Sequence, residues 1–349
     1  MNGLYLHIPF CRRKCFYCHF VKGTYDDELA ETYIEALTEE IRLRDKPGEP
    51  VDTLYIGGGS PSLLSEKQVT TAADAIYKYF NIHTSTEFTI EVNPEDVTKK
   101  KLDTYRDVGI NRLSIGTQSF CPADLRYLKR THGVEQSLAA VEAALERGFS
   151  NINLDFIISL PTQDKKTLAE NFSILREFDI PHISAYILED VEEGEEKNVR
   201  DNELYFFSVE HLTGLGYVHY EVSNFCKPGL YSRHNRKYWE NESYIGIGLS
   251  ASGYENGMDY GNARSFKGYF GKLEAGLLPR VEVTRRDANL RGIVMGLRLL
   301  EGIPGRCFEK YPEPLEFLLS NGILIRKKDN IAINPEKILL LNEVLTYLI

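Results

Sequence analysis

Cys11, Cys15 and Cys18 stand within the single stretch "CRRKCFYCHF" (11–20), with the spacing C-x3-C-x2-C. A structural zinc takes four ligands, typically as two separated pairs. A disulfide framework wants an even number of cysteines in a secreted chain. Three thiolates on one loop suit a [4Fe–4S] cube with one iron left without a protein ligand. An open iron is a place for chemistry. The other cysteines, Cys121, Cys226 and Cys307, are scattered and read as buried apolar thiols.

Further chemistry collects at the ends of β-rich runs. "TLYIGGG" (53–59) leads into Gly57-Gly58-Gly59-Ser60-Pro61. Consecutive glycines leave backbone groups unshielded, so a ligand can approach closely. The Lys-Ser/Thr pair of a phosphate-binding loop is missing. The stretch is either a tight turn or a holder for a small zwitterion. Glu91, in "EFTIEVN" (87–93), is either an acceptor for ribose hydroxyls or an ammonium, or a solvated loop charge. "RLSIGTQSF" (112–120) delivers Gln118, and Arg130 follows in "LKRTHG". Asp155 sits inside the apolar run "NINLDFIISLP" (151–161). A buried charge there requires a partner, either in a site or in a structural ion pair.

Positioning these groups requires a scaffold that gathers strand ends. With "LYLHIPF" (4–10) and "HISAYILE" (182–189), six β-rich runs occupy the first half. Between them lie segments with helical apolar spacing, such as "DDELAETYIEALTEEIRLR", "KQVTTAADAIYKYF" and "GVEQSLAAVEAALERG". Gly109 and Gly148 stand where helices end. The alternation predicts a parallel sheet, open or curled into a partial barrel, whose C-terminal strand ends converge on one site. Beyond residue 205 the rhythm changes. "YVHYEVSNF" (217–225) reads as a strand, 231–265 has no helical period, and 284–300 reads as a helix. The tail reads as helix, turn, hairpin and helix, a small winged-helix-like unit.

The 349 residues can bury a large core. With 41 basic against 51 acidic residues, the net charge of −10 argues against broad nucleic-acid binding. No signal pattern and no run of about 18 apolar residues is present, so no transmembrane segment is expected. The expected place is reducing cytoplasm, with peripheral membrane contact left open.

The cysteine motif followed by the GGG strand end resembles the radical S-adenosylmethionine (SAM) superfamily. "LYLHIPFC", "YIGGGSPSLL", "EVNPE", "RLSIGTQSF", "LDFIISLP" and "HISAYILE" are similar to its oxygen-independent coproporphyrinogen III oxidase-like branch, and within it to HemW-type heme chaperones. The resemblance implies an α/β fold, a partial (β/α)6 TIM-like barrel of the radical SAM type with a small α+β C-terminal domain. It divides the chain into 1–205 (cluster and SAM), 206–283 (barrel completion) and 284–349. It implies that Cys11, Cys15 and Cys18 hold the cluster. Gly58, Gly59 and Ser60 would meet the methionine end of SAM, while Tyr5, Tyr17, Glu91, Gln118, Arg130 and Asp155 match other SAM-contacting positions. In enzymes of the superfamily the reduced cluster splits SAM into a radical that abstracts hydrogen from substrate. A reductant such as flavodoxin or ferredoxin is then implied.

Oxidase and chaperone are separated by departures. Phe20 stands where the oxidase has a further cysteine. His234-Asn235-Arg236-Lys237-Tyr238-Trp239 fits the H-N-x-x-Y-W signature of the chaperones. His234 could ligate heme iron, with Tyr238 and Trp239 as an apolar ledge, or these residues could brace the lower edge of the barrel. Ser252 replaces a histidine of the chaperone pattern, and His19 replaces an aspartate. The resemblance favours heme binding and delivery to an acceptor protein. The alternative is a radical enzyme acting on a tetrapyrrole or another substrate, for which no catalytic residue is assigned.

Overall fold

A computed structural model describes residues 1–188 and 194–348. Six parallel strands, β1 (Asn2–Ile8), β2 (Lys46–Gly58), β3 (Phe80–Val92), β4 (Arg112–Gln118), β5 (Asn151–Ile158) and β6 (His182–Ile187), lie side by side in chain order. The helices α1 (Asp27–Leu43), α2 (Glu66–Tyr79), α3 (Lys99–Asp107), α4 (Val134–Glu146) and α5 (Lys165–Phe172) connect them. Local chemistry starts and stops these helices. Asp26 accepts from the Leu29 amide at 2.9 Å, and Ser65 with Gln68 forms a capping box. Gly109 and Gly148, at φ +88° and +76°, turn the chain out of α3 and α4.

Period-two alternation sorts each strand into two faces. Leu4, Leu6, Ile8, Leu54, Ile56, Phe88, Ile90, Leu113, Ile115, Leu154 and Ile183 belong to one buried apolar cluster, shared with helix residues such as Leu37 and Ile76. The opposite face carries Tyr5, His7, Thr53, Tyr55, Thr89, Glu91, Arg112, Ser114, Asn153, Asp155, His182 and Tyr186. The lumen is therefore polar.

The second half extends the same sheet at both edges. β7 (Val218–Glu221) and β8 (Asn224–Cys226) form an antiparallel hairpin beside β6. β9 (Tyr244–Ile247) runs parallel to β1, followed by antiparallel β10 (Ser252–Glu255), β11 (Met258–Asn262) and β12 (Arg280–Arg285). The sheet order is β12-β11-β10-β9-β1-β2-β3-β4-β5-β6-β8-β7.

Several readings change. The run 217–225 is a hairpin: the Glu221 carboxylate accepts from the Ser223 amide (3.2 Å) and from the Asn224 side chain, pinning a turn that contains no glycine. A long helix, α6 (Glu195–Gly214), precedes it unannounced. Within 231–265 lies α7 (Arg233–Trp239). The helix expected over 284–300 is α8 (Ala288–Gly296), because Thr284 and Arg285 pair in β12 and Asp287 caps Asn289 and Leu290. The tail has a helix at Pro312–Ser320, a hairpin of Leu324–Lys327 with Asn330–Ile333, and a helix at Leu341–Leu348. Glu189, the last residue of the run starting at 182, lies outside the described residues.

Candidate functional site

The cysteine loop leaves the C-terminal end of β1. Residues Phe10–Cys11 pair with Gly23–Thr24, closing the loop at its base. Arg12 reaches Asp96, beyond β3, at 2.8 Å, and so fixes the loop over the neighbouring strand ends. All three thiols are half-buried. The Ser60 hydroxyl lies 3.7 Å from Cys11 Sγ, and Arg130 Nη1 lies 3.8 Å from Cys15 Sγ.

Arg130 is the centre of the local electrostatics. Its Nη2 donates to Asn93 Oδ1 at 2.7 Å and to the Gly116 carbonyl at 3.3 Å, and Tyr17 Oη is 3.5 Å from Nη1. Its buried Nε has no partner among the described residues. A guanidinium against the loop offsets the negative charge of a thiolate-bound cluster. Three thiols on one loop, a cation beside them and an unused donor fit a [4Fe–4S] cluster. Glu95 holds this arrangement by accepting from His132 (3.1 Å) and Thr131, the two residues after Arg130. Burial pushes the Glu95 carboxyl up, but these hydrogen bonds outweigh it and bring its pKa down to about 2.

A cleft of about 180 Å³ runs from the loop into the barrel mouth. Its walls include Cys11, Cys15, Cys18, Tyr17 and Phe20 of the cysteine loop together with Glu91, Ser114, Gln118, Arg130 and Asp155. Glu91 accepts from Tyr55 Oη at 2.9 Å and from the Gly58 amide at 3.0 Å. Burial, then the nearby Asp155 charge, raises its pKa to about 7. Asp155 accepts from Asn153 Nδ2 at 2.8 Å and from Ser114 Oγ at 3.2 Å, and burial raises its pKa as well. It has no ion-pair partner among the described residues. Gln118 ends β4 at φ +63°, where the pairing with β5 becomes irregular.

The glycines line the cleft, but their own chain explains them. A Cβ on Gly58 (φ +114°) would lie 2.5 Å from the His7 ring, and one on Gly59 would strike the Phe10 carbonyl. The Gly59 and Ser60 amides donate to the Ile8 and Phe10 carbonyls at 2.8 and 2.6 Å. The turn after β2 is thus packed directly against the root of the cysteine loop. Tyr5 sits one layer lower in the lumen, with its hydroxyl 3.0 Å from His7 Nδ1 and its ring stacked on Tyr55. Asn93 was missed as a site residue, although it lies in the quoted strand end; it joins Ser60 (2.9 Å) to Arg130. Lys22 and Lys129 also line the cleft, where sequence offered no periodic signal.

The H-N-x-x-Y-W segment lies on α7, against the entry side of β2 and β3. The amides of Arg233 and His234 donate to Glu87 at 3.0 and 2.9 Å. His234 is 0% exposed, its Nδ1 is 2.9 Å from Thr53 Oγ1, and its Nε2 is 2.7 Å from Tyr238 Oη. Burial, then Lys237 and Arg112, lowers its pKa to about 3. Both ring nitrogens therefore have a protein hydrogen-bond partner in this fold, and Tyr238 is one of the two. Trp239 is half-buried beneath the Arg298 guanidinium, 5.2 Å from the ring centre. Ser252 begins β10 as an exposed residue, and His19 is exposed on the cysteine loop.

Parallel strands delivering a three-cysteine loop to one mouth define a radical SAM protein, and residues 5–174 match the model of the Radical SAM superfamily. Over its full length the chain is 33% identical to the heme chaperone HemW of Bacillus subtilis (strain 168), covering 99% of this chain and 98% of that protein. It is 31% identical to HemW of Escherichia coli (strain K12), covering 98% and 97%. The chain belongs to the HemW family of heme chaperones. The solved coproporphyrinogen III oxidase HemN of Escherichia coli shares the fold, with a TM-score of 0.84 at 22% identity over 99% of this chain and 89% of that one.

Proposed function

We propose that the protein holds a [4Fe–4S] cluster on Cys11, Cys15 and Cys18, binds SAM in the adjoining cleft, and binds heme for delivery to an acceptor protein. The full-length identity with curated heme chaperones carries this reading. A bound cluster would supply one open iron for the amino and carboxylate groups of SAM. The chain's part is to seat and enclose. Arg130 and Ser60 steady the thiolates, Glu91 and Asp155 offer acceptors to the ligand, and Gln118 and Tyr17 wall the cleft. A flavodoxin- or ferredoxin-type protein is the proposed reductant.

The test is anaerobic reconstitution followed by heme titration. The expected result is a shifted Soret band, heme recovered unaltered after incubation with SAM and reductant, and transfer to an apo-hemoprotein. An altered tetrapyrrole formed in step with 5′-deoxyadenosine would overturn the chaperone reading in favour of an enzyme. Heme bound no better than by an unrelated protein would also overturn it.

A further inference from the structure

Below the cleft floor the lumen holds a cation that no described residue hydrogen-bonds. Tyr5, Tyr55, Thr89, Arg112 and Asn151 occupy one register layer across β1 to β5. Arg112 is 2% exposed, yet its guanidinium makes no hydrogen bond or ion pair with a described residue. Thr89, its register partner, is 0% exposed, and its Oγ1 has no partner either. Glu91 and Asp155 feel the Arg112 charge but are satisfied elsewhere, by Tyr55 and Gly58 and by Asn153 and Ser114. An isolated buried cation is costly unless something pairs with it. Two unpaired groups side by side, a planar fork of donors and one hydroxyl, match the oxygens of a carboxylate.

The layer lies directly beneath the cleft. Ser114, two residues above Arg112 on the same face of β4, lines the cleft. Tyr186, on the lumen face of β6, is 43% exposed, so this side of the lumen stays open. We propose that Arg112 and Thr89 form a carboxylate pocket beneath the cleft that takes a propionate arm of the tetrapyrrole ligand, an inference that rests on the heme reading above. The pocket fixes orientation: a macrocycle anchored by one arm keeps its iron and its opposite edge toward the mouth. It also selects, since a porphyrin lacking free carboxylates leaves the guanidinium buried and unpaired.

The test compares iron protoporphyrin IX with its dimethyl ester on the cluster-reconstituted full chain. Wild type should prefer the free acid by about tenfold, the range of a charge-assisted pair. Arg112→Met should erase that preference while leaving ester affinity and iron content unchanged. Thr89→Val, nearly isosteric and expected to fold, should reduce the preference by about threefold. A preference that survives Arg112→Met overturns the pocket. If neither porphyrin binds wild type, the heme reading fails, and a second measurement decides the pocket by itself. Propionate, at ionic strength matched with chloride, should raise the Tm of wild type and leave that of Arg112→Met unmoved. An equal rise with chloride, or no rise, overturns the carboxylate assignment.

Discussion

Removing the His234 side chain tests whether this residue is a brace or an iron ligand. The ring is fully buried, bonded at both nitrogens and stacked 5.3 Å from Tyr55. His234→Ala deletes two hydrogen bonds, each contributing about 1 kcal/mol net. It also leaves a ring-sized cavity costing roughly 2–3 kcal/mol more. The expected loss of stability in urea is therefore about 4 kcal/mol near neutral pH. The acid side gives an independent check. The folded pKa, about 3, lies below the ordinary 6.5, so the fold holds the ring neutral. Stability from this group is present in full above pH 6.5 and is lost as pH falls toward 3. His7 and His219, both lowered to about 4, add the same sign. His234→Gln keeps hydrogen-bonding atoms but no imidazole; it should show a shallower acid loss and unchanged heme affinity. A His234→Gln protein as stable as wild type whose heme affinity falls tenfold would refute the brace and restore the iron ligand.

Replacing Cys11, Cys15 or Cys18 by Ala should abolish iron binding after reconstitution, while Cys121, Cys226 and Cys307 variants keep full iron content by chemical analysis. Gly58→Val should lower SAM affinity and cluster content together, because the new side chain meets His7 at the root of the cysteine loop. Backbone strain alone costs it roughly 1–3 kcal/mol, and a variant with normal iron and weak SAM binding would contradict this account. Glu91, with a folded pKa of about 7, contributes stability that is greatest below pH 4.5 and declines as pH rises through 7, a slope that Glu91→Gln should remove. If cationic SAM sits beside Glu91, its binding near pH 7 should release a proton, seen as a buffer-dependent enthalpy in calorimetry. Identical enthalpies in phosphate and Tris would place the ligand elsewhere.

The strand-end residues were legible because they are local events: a cysteine spacing, a glycine run, and polar residues closing β-rich runs. Parallel strands then bring such ends to one mouth, and Cys11, Gly59, Glu91, Gln118, Arg130 and Asp155 do share one cleft. The alternation of strand and helix in the first half was legible for the same reason, since hydrophobic period and helix caps act within a few residues. The hairpin 218–226 and the start of α8 were not, because each is fixed by a single side-chain contact, that of Glu221 or Asp287.

What a residue does with its neighbours across the lumen depends on register, which no local pattern carries. Sequence offered His234 as ligand or brace, and only packing against Thr53, 181 residues away, showed which groups its ring meets in this fold. Gly58 and Gly59 suggested room for a ligand, whereas pairing of β1 with β2 filled that room with His7 and Phe10. Arg112 and Thr89 drew no notice in sequence, being an ordinary charge and an ordinary β-branched residue. Only β3–β4 pairing sets them side by side and buried, with no hydrogen-bond partner among the described residues. The sequence by itself determined which chemistry the chain carries and that strand ends present it; the tertiary structure decided which polar groups are already satisfied and which remain free to bind.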